Sequence, residues 1–321
     1  MEYRPQLTGL RGVASGWVAG YHAYASVGGP VLVAAGAGLG FRISGWIGVE
    51  MFFILSIVLL LRSLDSNPDL KHYFKRRIVR IWPMYFATCG ATFLLVDPSW
   101  IHLALNMAFV GIYIPGGQFV TGAGWSPHYI LWTLQIEEAA YLFFPLIHRL
   151  GKAIQTRLAW ALIAASVAYI VLGHEWGHIQ PGPQPWVFVD SYSLPFLWLS
   201  AYGTGLLVYT GEFPTLLRSR GATGLLALGP MFLPSVPWLL WTLVLLPFMG
   251  AMVLNPPKFL GKLALVVVGE FSYGLYLVHA LGILLLGAVL GLVVGFVAAV
   301  GMESAVRYRE IARRFRFVRT A

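Results

Sequence analysis

The stretch LTGLRGVASGWVAGYHA, residues 7–23, is almost apolar enough to cross a bilayer, yet it carries Arg11 and, eleven positions on, His22. Eleven residues make about three helical turns, so the two side chains share one face, with His22 about 16 Å further along the axis. The two residue types suit different chemistry. A guanidinium grips phosphate through forked, charge-assisted hydrogen bonds. An imidazole titrates near neutrality and suits the removal of a proton from a hydroxyl. Alone, an arginine at a span end is commonly a snorkelling anchor, and a histidine inside a span commonly bonds a neighbouring helix. An ionisable pair on one face points instead to a site lined by protein or water.

A carboxylate joins the set. WSPHYILWTLQIEEAAYLFFP places Glu137 and Glu138 inside another apolar run. Adjacent helical positions point about 100° apart, so the two glutamates cannot share one role. Entered from outside near His128, the run puts Glu137 about 14 Å down, close to the depth expected for His22. There Glu137 would orient His22 and favour the imidazolium that forms. Tyr141 follows one turn later on the same face. The plainer role for Glu137 is an ion pair with Arg77 or Arg80. In GEFSYGLYLVH, Ser272, Tyr276 and His279 share a face, with His279 toward the outer end of its span and Tyr273 turned to packing. Such residues are more often contacts between helices. Glu50 reads as interfacial and Glu303 as a partner for the basic tail. Cys89, the one cysteine, lies in an apolar run and reads as a packing residue, which excludes an internal disulfide and a cysteine-rich metal site.

Only a membrane bundle can position these groups. The 321 residues are 58% hydrophobic and 11% charged, with a mean hydropathy of +0.73. Soluble domains carry about 25% charged residues. Ten spans are predicted, at 9–27, 45–62, 79–97, 128–147, 157–173, 191–210, 221–235, 237–254, 263–285 and 287–305. The stretch 98–127, with its prolines and glycines, reads as interfacial or re-entrant. Basic clusters at Arg62–Arg80, Arg149–Arg157, Arg218–Arg220, Lys258–Lys262 and Arg307–Arg319 fall on one side of this threading, with Arg4 and Arg11, while the opposite loops hold Arg42 alone. Both termini are therefore expected in the cytoplasm. The net charge of +9 follows from topology and does not call for nucleic acid. The first apolar run is read as a retained span, not a cleaved signal. The expectation is an all-α, multi-pass bundle in the cell membrane, with residues 1–321 as one domain.

Together these segments resemble the acyltransferase family 3 proteins, integral-membrane O-acyltransferases built as one multi-span domain. LTGLRGVASGWVAGYHA is similar to the family's opening, which puts Arg11 and His22 on its two functional positions. WIGVEMFFILS resembles the second-span motif. YFKRRIVRIWPMYF matches an Arg-x-x-Arg followed by proline, at Arg77, Arg80 and Pro83. WTLQIEEAAYLFFP matches Trp-Ser-Leu-x-x-Glu, with Thr133 in place of serine and Glu137 on the glutamate. FSYGLYLVH is close to Ser-Tyr-x-x-Tyr-x-x-His, at Ser272, Tyr273, Tyr276 and His279. Two departures stand out. Ile57 follows Ser56 where the family has glycine, and the stretch from His279 to Glu303 is short, which demands short final spans or a very tight turn.

The resemblance implies transfer of an acyl group, acetyl before others, from acyl-CoA to a hydroxyl of a glycan or another carbohydrate or lipid-linked acceptor. Arg11, His22 and Glu137 would form the catalytic set, with His22 as base. Arg11, Arg77 and Arg80 would hold the phosphates of coenzyme A, and Tyr141, Ser272, Tyr276 and His279 would contact substrate. A thioester is already activated, so no metal and no permanently bound cofactor is expected; acyl-CoA (acetyl-CoA) is a co-substrate. Intramembrane His and Glu also mark proton relays, which makes a proton-coupled transporter the alternative. No inverted repeat is visible to support it.

Overall fold

The computed structural model describes residues 4–27, 45–110, 131–175, 195–214 and 238–320. Among these the chain is helical, with no strand. In order come α1 (Pro5–Ser26), α2 (Trp46–Ser66), α3 (Leu70–Leu95), α4 (Trp100–Met107), α5 (Trp132–His148), α6 (Lys152–Glu175), α7 (Pro195–Thr210), α8 (Trp238–Leu254), α9 (Leu263–Glu270), α10 (Ser272–Leu286) and α11 (Ala288–Thr320). Four of the described helices are long and apolar enough to cross a membrane, and a fifth span results if α9 and α10 count as one. The start of the stretch at 98–127 forms the short helix α4. Its remainder beyond residue 110, the predicted span at 221–235, and Arg42, Arg218 and Arg220 lie outside the described residues.

The predicted span at 263–285 is not straight. It breaks at Phe271, and α10 leaves α9 at 73°. Such a break is tolerated at membrane depth only where protein satisfies the freed backbone groups. Glu303 of α11 does so, accepting a hydrogen bond from the Gly274 N–H at 2.8 Å. Arg307, one turn on, donates to Glu303 at 2.5 Å and reaches the Glu270 carbonyl and carboxylate at 3.4 Å each. All three side chains are buried. Glu303 thus pairs with the start of the basic tail, as its position suggested.

The final turn is as tight as the short sequence requires. Gly287 bridges α10 and α11 with φ +77° and ψ 173°, a conformation open essentially to glycine alone. Below it Gly282 and Gly291 press together so closely that a Cβ on either would strike the other's backbone. Elsewhere small residues let helices approach in the same way. A Cβ at Gly12 of α1 would strike Leu265 and Gly269 of α9. The glycine missing after Ser56 is supplied from the opposite helix, where Gly205 of α7 leaves room for Ile54 and Ile57.

Arg307→Ala would leave Glu270 and Glu303 buried without their cation, a loss of about 3–5 kcal/mol. Thermal unfolding in detergent should show a large fall in melting temperature. An unchanged melting temperature would mean that something else holds the break.

Candidate active site

Helices α1, α2, α3, α5 and α10 enclose a cavity of about 550 Å³. Along α2 its lining runs from Asn67 back to Val49, so the cavity is elongated. Arg4, Arg11, Arg62, Arg76, Arg77 and Arg80 line it, and Glu137 is the one carboxylate among its described lining residues. Arg11, Arg77, Arg80, Glu137, Tyr141, Ser272 and Tyr276, chosen from sequence, all lie on its wall. Arg4, Arg62 and Arg76 join them; their positions at span ends made them read as topology charges.

Three of the arginines come from α3, which is fixed through main-chain oxygens. Pro145 in α5 cannot donate to the carbonyl four residues back, at Tyr141. The Tyr73 hydroxyl donates to that carbonyl instead, at 3.2 Å. Further along, the Tyr273 hydroxyl donates to the Ile81 carbonyl at 3.0 Å. Tyr273 does not simply pack away from the site: the break at Phe271 puts it in the first turn of α10, on the cavity wall. Neither tie neutralises a guanidinium. Arg77 Nε and Ser272 Oγ are buried with no hydrogen-bond partner among the described residues. Buried polar atoms of folded proteins nearly always have partners, so spare donors on a cationic wall suit an anionic guest.

The far end is built differently. Glu137 accepts a hydrogen bond from Ser56 of α2. One turn earlier, the Thr133 hydroxyl meets the Tyr276 hydroxyl at 2.6 Å, so threonine keeps the hydroxyl that the motif's serine would bring. The Phe52 ring lies against Tyr276 at 6.2 Å between centroids. Val49, Phe52, Thr133 and Tyr276 therefore line the end away from Asn67.

Next to Tyr276 stand two histidines that are not among the lining residues. His22 Nδ1 is 2.7 Å from His279 Nε2, and the rings are 16° from parallel. His279 is fully buried, and its Nδ1 faces the Tyr276 carbonyl at 2.7 Å and the Leu275 carbonyl at 3.1 Å. Its ring centroid is 5.8 Å from that of Tyr276. The sequence suggested Glu137 as the partner that orients His22. The structure sets His279 on the His22 ring and Ser56 on Glu137. The break explains the difference. A straight ninth span would carry His279 to the outer end, whereas the restart at Ser272 leaves it about two turns into α10, level with His22.

A family model described as an acyltransferase domain matches residues 4–302. The chain belongs to acyltransferase family 3. This membrane acyltransferase is 36% identical to "Putative acetyltransferase ORF330" of Acidianus two-tailed virus, over 98% of this chain and 94% of that protein. It is 29% identical to "Acyltransferase MdmB" of Streptomyces mycarofaciens, over 40% of this chain and 34% of that one. It is 27% identical to "Putative peptidoglycan O-acetyltransferase YrhL" of Bacillus subtilis (strain 168), over 53% of this chain and 27% of that one. No solved structure matches it.

Inorganic pyrophosphate should raise the melting temperature of the purified acyltransferase, and added salt should weaken the effect. The effect should vanish in the double variant Arg77→Gln, Arg80→Gln. Equal stabilisation of that variant would put the anion elsewhere.

Proposed function

We propose that the protein is an acyl-CoA-dependent O-acetyltransferase that acylates a hydroxyl of a glycan or another carbohydrate or lipid-linked acceptor. One observation carries this reading: an elongated cavity with arginines along it ends at Tyr276, beside the fully buried His279 and its partner His22. The phosphates of coenzyme A lie among Arg11, Arg77 and Arg80, with the pantetheine arm extended along α2 past Glu137 and Tyr141. The thioester then reaches the Phe52–Tyr276 end. His22 takes the proton of the acceptor hydroxyl there. The Tyr276 hydroxyl, fixed by Thr133, donates to the oxyanion that forms at the thioester carbon. A thioester needs no metal to be attacked at this step.

The names of the relatives support the acetyl group, and that of YrhL supports a sugar hydroxyl as its destination. We also retain the ten-span threading, with both termini in the cytoplasm and the bundle in the cell membrane. In that orientation the arginine end opens where acyl-CoA is made. The histidines lie deeper, where an acceptor enters from the far side.

Purified protein in detergent, given labelled acetyl-CoA and a panel of saccharides, should transfer label to at least one of them. His22→Ala should lower turnover by about 10²–10⁴-fold, the usual worth of a general base, with its melting temperature preserved. Full turnover in that variant would remove His22 from the mechanism. Proton-coupled solute uptake without acetyl-CoA consumption would make the protein a transporter.

A further inference from the structure

We infer that His279 is a positioning residue: it fixes His22 as the tautomer protonated at Nδ1, so that Nε2 is the atom that takes the acceptor's proton. The catalytic consequence rests on the acetyl-transfer reading above; the tautomer assignment rests on geometry alone.

A carbonyl oxygen only accepts, so the His279 nitrogen facing the Leu275 and Tyr276 carbonyls carries a hydrogen. These are the carbonyls four and three residues back in the same helix, so the ring is oriented by its own backbone. A neutral imidazole has one N–H, and a fully buried charged ring would be costly. The Nε2 atom of His279 therefore presents a lone pair. His22 Nδ1 lies 2.7 Å from it, and two facing lone pairs would repel, so His22 Nδ1 is the donor. Valence then leaves the lone pair of His22 on Nε2.

The acceptor O–H bond breaks as the His22 Nε2–H bond forms, and the acceptor oxygen bonds the thioester carbon. The C–S bond breaks, and the Nε2 proton passes to the departing thiolate, which restores His22. The His22 Nδ1–H donates to His279 Nε2 throughout. While His22 is an imidazolium that bond is charge-assisted and stronger. A neutral orienter also avoids an ion pair at this depth, where desolvation of two charges can exceed their attraction.

His279→Leu removes the acceptor. His279→Glu restores one, since its carboxylate is as many bonds from Cα as the imidazole Nε2 and, when ionised, only accepts. His279→Leu should lower kcat for acetyl transfer by about 10²-fold or more, as loss of the right tautomer does in a catalytic triad, with KM for acetyl-CoA unchanged. His279→Glu should recover most of that loss. Nitrogen-15 spectra of histidine-labelled protein, with His22→Ala assigning the signal, should show His22 protonated at Nδ1 in the wild type and mixed in His279→Leu. Wild-type kcat in His279→Leu, or an unaltered His22 signal, would overturn the inference. If the wild type transfers no acetyl group at all, the proposed function fails, and the nitrogen signal alone still decides the role of His279.

Discussion

A helix cannot be broken at membrane depth without partners for the backbone groups that the break releases. In this protein the partner is Glu303, and a carboxylate buried there needs a cation of its own. Arg307 supplies it from one turn away and reaches back to Glu270 on the other side of the break. The consequences travel outward from that cluster. Because α10 restarts at Ser272, its first turns bring Ser272, Tyr273 and Tyr276 to the cavity wall. Because α10 leaves at 73°, His279 reaches His22 rather than the membrane's far side. Both the binding surface and the histidine pair thus depend on one buried ion cluster, of which the sequence indicated the pairing of Glu303 with the basic tail but not its link to Glu270 and Gly274 across the break.

The arginine wall raises the opposite problem. Guanidinium groups stay charged under all ordinary conditions, and Arg80 lies close enough to Arg11, Arg77 and Arg307 to feel each of them. Arrays of like charge destabilise the empty fold. The protein holds α3 in place with neutral ties instead, through the Tyr73 and Tyr273 hydroxyls on main-chain oxygens. Glu137, spent on Ser56, offsets only part of the charge. The remaining cation excess is available to a guest, the usual exchange of stability for function at a binding site.

The parts of this design legible in the sequence were those fixed by which end of a span a residue occupies. Arg11, Arg77 and Arg80 sit at the ends of apolar runs on one predicted side, and they converge. Helical spacing also separated the two neighbouring glutamates, and Glu137 lines the cavity whereas Glu138 is not among its lining residues. The shortage of residues after His279 forecast a tight turn, and Gly287 makes it. Depth within a run was less legible, because a rise per residue measures depth only along an unbroken helix. Nothing local marks Phe271 as a break: the proline-containing helices α3, α5 and α8 run on, while the break has no proline. The partner that satisfies it is Glu303, more than thirty residues downstream of Phe271. Packing between helices was hidden for the same reason, as when Gly205 supplies from α7 the room that a glycine after Ser56 would have made.

Depth also explains why the histidines stand apart from the arginines. An imidazolium forming beside guanidinium groups would be opposed by each of them. At an effective dielectric of about 20 that opposition is about 4 kcal/mol per charge at 4 Å, but only about 1 kcal/mol at the roughly 16 Å that three turns of α1 put between Arg11 and His22. Several such charges still add up, so the distance must be kept. A donor whose charged end and reactive end are joined by a long neutral arm suits this separation, since it is gripped where cations help and reacts where they would hinder. Phe52, Thr133 and Tyr276 form the boundary between the two regions. A neutral His279, in place of a carboxylate, lets the second region work without importing a permanent charge into it.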